Sequence, residues 1–356
     1  MPRNISTLES NPNLDVLRSF AVISVCIAHG ARSAGLESGT ASIGLLGVLI
    51  FFVHTSLVLM ASMERLELSG FRLVFSFYLR RIFRIYPLSI ICVLALVALR
   101  MPPQNWDGAT FITPSPVELI SNLALVQNLT ASRDLLLPMW SLPYEIQMYI
   151  MLPFVFILLK RAPGLLTVSL LWLSSALIAY VLPASAAADF MGYAPCFLSG
   201  AIAFVIFKQR QTVGGLPAWS WPVTIGGFFI AFLVLNNVGA SYVSANSRKW
   251  LVCLPLGLLL AHFQPVRAGW LRSASHFVAK YSYGIYLGHM FALHLAFRTL
   301  TPLPLGAKVG VFLVSTAGLA VFLYHAVESP MIGVGKRVAG SLVPTYGQVH
   351  GSAARI

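Results

Sequence analysis

Apolar runs about as long as a bilayer is thick recur along the whole chain, separated by short polar stretches. Ten can be marked, at about 14–30, 43–63, 86–101, 140–159, 163–183, 190–207, 217–236, 250–263, 282–297 and 306–326. Each is matched to the roughly 17–25 residues that a membrane-crossing helix needs, several only by extending into their flanks. The third and eighth runs are the weakest. The pattern predicts an all-α, polytopic membrane helical bundle of about ten transmembrane helices. It forms one domain over residues 1–337, with a disordered cytoplasmic tail over 338–356. No internal repeat is evident. Residues 102–139 form the longest polar connection, rich in Pro, Asn and Thr. Within it "PVELISNLALVQNL" reads as a short re-entrant or surface helix. Irregular backbone at membrane depth is tolerated only where protein or water covers it.

Composition agrees with this pattern. The 356 residues are 57% hydrophobic and only 10% charged, where a soluble domain carries about 25% charged residues. The polar start "MPRNISTLESNPN" lacks the apolar segment of a cleaved signal peptide. Cys26, Cys92, Cys196 and Cys253 lie in apolar runs at irregular spacing and read as core thiols, not as a disulfide framework or zinc site. The net charge of +13 is explained mostly by short loops. With the N-terminus inside, 16 of the 24 Lys and Arg residues fall on one side and seven on the other, leaving Arg18 within a span. The positive-inside rule then places both termini in the cytoplasm. No basic module of the nucleic-acid-binding kind is present, so no nucleic-acid partner is expected.

The first run, "LDVLRSFAVISVCIAHG", holds two groups that are costly in lipid, Arg18 and His29. Eleven helical steps of about 100° end about 20° past three turns, so both share one face, roughly 16 Å apart. Asp15, three residues before Arg18, is placed to pair with it. A cation at one end of a face and a proton acceptor further along suit an anionic ligand reaching inward. A snorkelling arginine and an interfacial histidine give the same string. In "FYLRRIFRIYP", Arg81 and Arg84 face the same way at the start of the third run. They read either as topology signals or as a phosphate clamp, since guanidinium forks match phosphate geometry. In "PMWSLPYEIQMY", Glu145 is a carboxylate within an apolar span, which must find a partner or a proton. It orients a histidine, holds an arginine, or simply ties two helices together. In "YSYGIYLGHMFALHLAF", His289 lies mid-span behind Tyr283 and Tyr286, two aromatics that read as core or interface belt. Glu328 precedes Pro330 in "HAVESPM", and His54 is a further apolar-run histidine with no assigned partner.

A Walker loop, a GxGxxG after a strand, an HExxH pair and a GxSxG elbow are all missing, which weighs against NTPase, dehydrogenase and hydrolase chemistry. Taken in order, the polar segments resemble the acyltransferase-3 family of integral membrane acyltransferases, from about Leu14 to Arg337. Arg18 and His29 are similar to its Arg/Lys-x10-His pattern, and Arg81 and Arg84 to its Arg-x-x-Arg. "WSLPYE", "YSYGIYLGH" and "VESP" resemble its remaining segments. The second run departs from the family, with Leu49 where many members have aspartate and Thr55-Ser56 in place of Ser-Gly. Some members carry a lumenal esterase-like domain; none is expected within this sequence, and the resemblance then implies that any hand-off to one would involve a partner protein on the outer face.

The resemblance implies O-acyl transfer, usually of acetyl, from acyl-CoA as co-substrate, with no metal. The acceptor would be a hydroxyl of a cell-envelope or exported glycan or lipid-linked saccharide, or a macrolide or other small secondary metabolite. The expected setting is a bacterial inner membrane, among its lipids. Under this reading Arg18, Arg81 and Arg84 hold the coenzyme A phosphates. His29 acts as base or acyl carrier, and Glu145 or His289 orients it or the acceptor. A polytopic exporter of a glycan or small anion is the rival reading, since such proteins also carry intramembrane Arg, Glu and His.

Overall fold

The computed structural model describes residues 11–36, 39–102, 110–162, 164–183, 185–209, 215–237 and 243–342. Helix α1 (Pro12–Ser33) starts where the Asn11 side chain accepts from the Asn13 N–H at 3.0 Å, with Pro12 in the first turn. Then come α2 (Thr40–Arg65), α3 (Gly70–Ala98), the short α4 (Pro116–Ala124) and a 3₁₀ turn (Leu137–Ser141) leading into α5 (Leu142–Arg161). They are followed by α6 (Gly164–Val181), α7 (Ala186–Gln209), α8 (Ser220–Asn237), α9 (Ala245–Leu259), α10 (Gly269–Leu293), α11 (Leu305–Leu323) and α12 (Ser329–Leu342). π-Helical turns end α10 (His294–Thr299) and join α11 to α12 (Tyr324–Glu328). Among the described residues there is no strand, only an isolated bridge between Leu216 and Phe263. The chain is a polytopic membrane helical bundle.

Seven helical stretches among the described residues are both long and apolar enough to cross a membrane. The ten-run pattern overshoots this measure at three helices. The apolar stretch of α8, Ser220–Asn236, falls just short of the length required. Helix α9, the eighth run, is 15 residues long. Helix α10 is long enough but carries Arg272 and Lys280 in its first half. Helix α3 begins at Gly70 rather than at residue 86. Its arginines stop a hydropathy window but not a helix, since Arg is a good helix former. The chain continues helically to Leu342, past the expected domain end at 337, while 343–356 lie outside the described residues.

The bundle is built around α1, α2 and α7. Of the apolar stretch of α7, 78% is buried, against 11% for α6, which leaves α6 facing lipid. Without a hydrophobic drive inside the bilayer, helices associate through small residues that let backbones approach. A Cβ at Gly47 of α2 would lie 2.5 Å from the Ala21 carbonyl oxygen of α1. A Cβ at Gly200 of α7 would lie 2.1 Å from the Val53 oxygen of α2. At the amino end of α1, buried Asn13 ties three segments together. Its side-chain amide donates to the Gln264 carbonyl at 3.0 Å and its side-chain oxygen accepts from the Val266 N–H at 2.9 Å. Its backbone carbonyl accepts from the Trp221 indole N–H at 3.0 Å.

At the opposite end, residues 110–141 form a folded cap. Helix α4 falls within the segment expected to be a surface helix. Ser115 and Glu118 close a capping box, and Glu118 also pairs with Arg133 at 2.8 Å. The Ser115 N–H that the Glu118 carboxylate accepts, assisted by Arg133, holds that carboxyl below its ordinary range. Fully buried Asn122 accepts from the Leu135 N–H at 3.0 Å and donates to the Arg133 carbonyl at 2.9 Å, bringing the 3₁₀ turn onto the bundle.

Two outcomes follow. Gly200→Ala lowers the thermal midpoint of the detergent-solubilised protein, at a cost of about 1–3 kcal/mol or more, because a backbone oxygen cannot yield as a side chain does. Gly226→Ala, with nothing within 4 Å of its Cβ, leaves the midpoint within error. Because the Glu118 carboxyl is held low in the folded state, the clasp it makes is intact above the usual carboxylate range. It loosens as pH falls through the lowered value, seen as faster amide exchange over 112–134 with no change in α2 or α7.

Candidate functional site

Helix α1 presents two different faces. Ile23 and Ile27 are exposed, as lipid-facing residues should be, while Arg18 and His29 turn into the bundle on the opposite side. The two do not share one chamber. Arg18 lines a large cavity toward the amino end of α1, and His29 lines a smaller one toward the other end.

The large cavity has a volume of about 620 Å³. Helix α3 contributes Arg81 and Arg84, one turn apart. Helix α2 contributes His54, Thr55 and Ser62, and α5 contributes Glu145 and Tyr149. Helix α10 adds Lys280, and the π turn after α11 adds Tyr324. Four fixed cations (Arg18, Arg81, Arg84, Lys280) therefore face two carboxylates, Asp15 and Glu145. The pairing differs from the sequence expectation for Asp15. Its carboxylate meets His276 Nδ1 at 3.0 Å, whereas Arg18 Nε donates to Ser282 Oγ at 2.5 Å. Ser282 in turn donates to the Ala279 carbonyl at 2.8 Å. The Tyr149 hydroxyl donates to the Glu145 carboxylate. The excess of positive charge, spread over three helices, suits a ligand with several negative charges.

The second cavity, of about 180 Å³, lies between the end of α1, the start of α2 and the 3₁₀ turn. His29, Arg32, Thr40, Trp140 and Tyr286 are among its walls. Behind it His289 is fully buried, its ring 5.2 Å from that of His29 and nearly perpendicular to it. His289 Nδ1 lies 3.0 Å from the Ile285 carbonyl. A carbonyl can only accept, so Nδ1 carries the hydrogen and Nε2 keeps its lone pair. Among the described residues Nε2 has no hydrogen-bond partner.

Between the two lies a third space of about 50 Å³. It shares Arg18, Thr55, Glu145 and Tyr283 with the large cavity, and Val48 and Tyr286 with the histidine cavity. One stripe of α2 at helical spacing (Gly44, Val48, Phe51, Thr55, Val58, Ser62) runs past all three.

The structure thus joins Arg18, Arg81, Arg84 and Glu145 at one end, and His29 with His289 at the other. It does not bring Glu145 to His29. Tyr283 and Tyr286, read from sequence as core or belt, line these spaces, and Lys280 and His276 join the charged end. The α10 spacing His276, Lys280, Tyr283 (i, i+4, i+7) was the available signal for that face. Leu49, at the position where the resemblance led to an expected aspartate, is fully buried and lines none of the three spaces. His54 lies instead on the large cavity.

Comparison with known proteins agrees with the motifs. The acyltransferase-3 family model, described as an acyltransferase domain, matches residues 11–325. No curated protein and no solved structure matches the chain. The matched stretch contains every polar residue placed above, from Asp15 on α1 to Tyr324 after α11. The chain belongs to the acyltransferase-3 family of integral membrane acyltransferases.

Proposed function

We propose that this protein moves a short acyl group, acetyl in the first instance, from acyl-CoA to a hydroxyl of a cell-envelope or exported glycan. The observation that carries this reading is the order of the three spaces, a cationic chamber, a narrow neck and an imidazole pair. With the amino end of α1 in the cytoplasm, as the charge sidedness suggests, the cationic chamber faces the compartment that holds coenzyme A.

Arg81, Arg84, Arg18 and Lys280 bind the phosphates, and Glu145 with Tyr149 balances and positions the guanidinium groups nearest the neck. The pantetheine arm brings the thioester to the neck, with the acyl group inside it. The acceptor hydroxyl comes from the far side, beside Trp140. His289 Nε2, unpartnered among the described residues, comes to accept an N–H from His29 once that ring turns, which leaves the other nitrogen of His29, with its lone pair, toward the acceptor. His29 takes the hydroxyl proton while the hydroxyl oxygen attacks the thioester carbonyl. The C–S bond breaks, the thiolate leaves with the electron pair, and the proton returns to it, giving an ester and free coenzyme A.

Three adjoining spaces along one helix also suit an exporter of a glycan or small anion, and the same assay separates the two. Membranes carrying the protein are incubated with radiolabelled acetyl-CoA. Label in a glycan or lipid fraction supports transfer, whereas movement of substrate without labelled product supports transport. His29→Ala is expected to lower labelling by about 10²–10⁴-fold while insertion and thermal stability stay unchanged. Labelling at the wild-type rate in that variant would rule out the assignment. Arg81→Ala is expected to raise the acetyl-CoA concentration needed for half-maximal rate by roughly ten-fold with little change in the limiting rate. An unchanged donor dependence would leave the arginines as topology signals alone.

A further inference from the structure

The three spaces differ sharply in size, about 620, 50 and 180 Å³ in order from the amino end of α1. The middle one is polar where it meets the cationic chamber, at Arg18, Ser282 and Glu145, apolar along Val48, Phe51 and Phe52, and bordered at its far end by the Ser141 and Tyr286 hydroxyls. A thioester carbonyl and its alkyl group have that same two-part character.

We infer that this neck fixes the length of the acyl group transferred, admitting acetyl and excluding long chains, with Phe51 and Val48 as the limiting walls. The inference rests on the acyl-transfer reading above and adds to it the residues that choose the donor.

The walls are held from behind. The Phe51 ring meets Tyr286 edge-on with centroids 5.9 Å apart. Tyr286 itself is pinned, its hydroxyl donating to the Pro138 carbonyl at 2.6 Å and lying 2.8 Å from Ser141 Oγ. Phe52 stacks on Phe197 at 4.2 Å and is 1% exposed, and Val48 is 3% exposed. Close-packed side chains of this kind do not swing aside for an extra methylene. A fixed apolar pocket discriminates one methylene by roughly 10–200-fold, so a chain several methylenes longer is refused outright. The wider space beyond the neck does not relieve this limit, because in the proposed reaction the acceptor fills it while the thioester is attacked.

The test uses full-length protein in native membranes with their own acceptor pool. Radiolabelled acetyl-CoA, butyryl-CoA and octanoyl-CoA are supplied separately and label in the acceptor fraction is followed. The wild-type protein is expected to prefer acetyl over octanoyl by roughly a hundred-fold or more. Phe51→Ala and Val48→Ala are each expected to raise the butyryl-to-acetyl ratio by roughly ten-fold. Val48→Ala removes little volume, so it keeps the test open if Phe51→Ala does not accumulate. Equal use of acetyl and octanoyl by the wild type, or an unchanged ratio in the folded variants, overturns the neck as selector while leaving acyl transfer standing. Wild-type membranes that transfer no acyl group from any of the three donors overturn both.

Discussion

The constraint on which the rest of this structure depends is the cost of keeping the Arg18 guanidinium inside an apolar bundle. A charged side chain at the middle of a membrane helix costs about 2.5–3.5 kcal/mol even on the lenient scale of membrane insertion. The bundle meets that cost locally. Ser282 accepts from Nε, Glu145 lies on the same cavity, and every helix bordering that cavity presents at least one polar side chain to it. This requirement selects which helices surround the site. Helices α1, α2, α3, α5 and α10 each bring a charged or hydroxyl-bearing residue to one chamber, whereas α6 brings none and is left to lipid. Helix α7 serves differently, since its Gly200 lets it sit against α2 and press the cavity-lining stripe of α2 toward α1.

The cap over residues 110–141 is the second organising element, and it acts through backbone rather than charge. Asn122 satisfies carbonyl and N–H groups that would otherwise be stranded, and Gln127 does the same for the Met139 carbonyl at 3.2 Å. The result is a short 3₁₀ turn held at a fixed height. From it Trp140 and Pro138 border the histidine cavity, while Ser141, at its last position, reaches the neck. A segment that looks like a long irregular loop in sequence is therefore what sets the distance between the pocket for the acceptor and the passage for the donor in the proposed reaction.

Much of this was legible in the sequence, for physical reasons that differ between parts. The bundle was legible because lipid leaves few alternatives to long apolar helices. The placement of Arg18 and His29 on an inward face was legible because helical geometry relates residues eleven apart with little ambiguity. The Asp15–Arg18 pair was not, since three-residue spacing allows a contact without selecting it over His276 from a distant helix. Lys280 and Tyr286 were hidden for a related reason. A lysine just before an apolar run and a tyrosine within one have ordinary explanations, and only the crossing of α10 with α1 shows that both face the cavities. The true start of α3 was missed because a hydropathy window treats arginine as an end, although the backbone of a helix is indifferent to it. Motif order identified the family; it carried no information on the neck, whose walls are common apolar residues.

The distance of roughly 16 Å between Arg18 and His29 has a further consequence for the proposed chemistry. A single side chain cannot bridge it, so the phosphates held by the arginines and the carbon attacked beside the histidines must belong to opposite ends of one extended donor. The proton released at His29 starts on the acceptor side, while the thiolate that needs it is created at the neck. His289 does not lead there, because its Nδ1–H is committed to the Ile285 carbonyl. The hydroxyls of Tyr286 and Ser141 do stand at the neck, 2.8 Å apart, with Tyr286 also bordering the histidine cavity. The Tyr286 hydrogen is itself given to the Pro138 carbonyl, so in the proposed reaction the pair returns a proton to the thiolate only when that bond is exchanged for the one to Ser141, and no water need fill the passage. A dry neck in turn protects the thioester from hydrolysis while it waits for the acceptor.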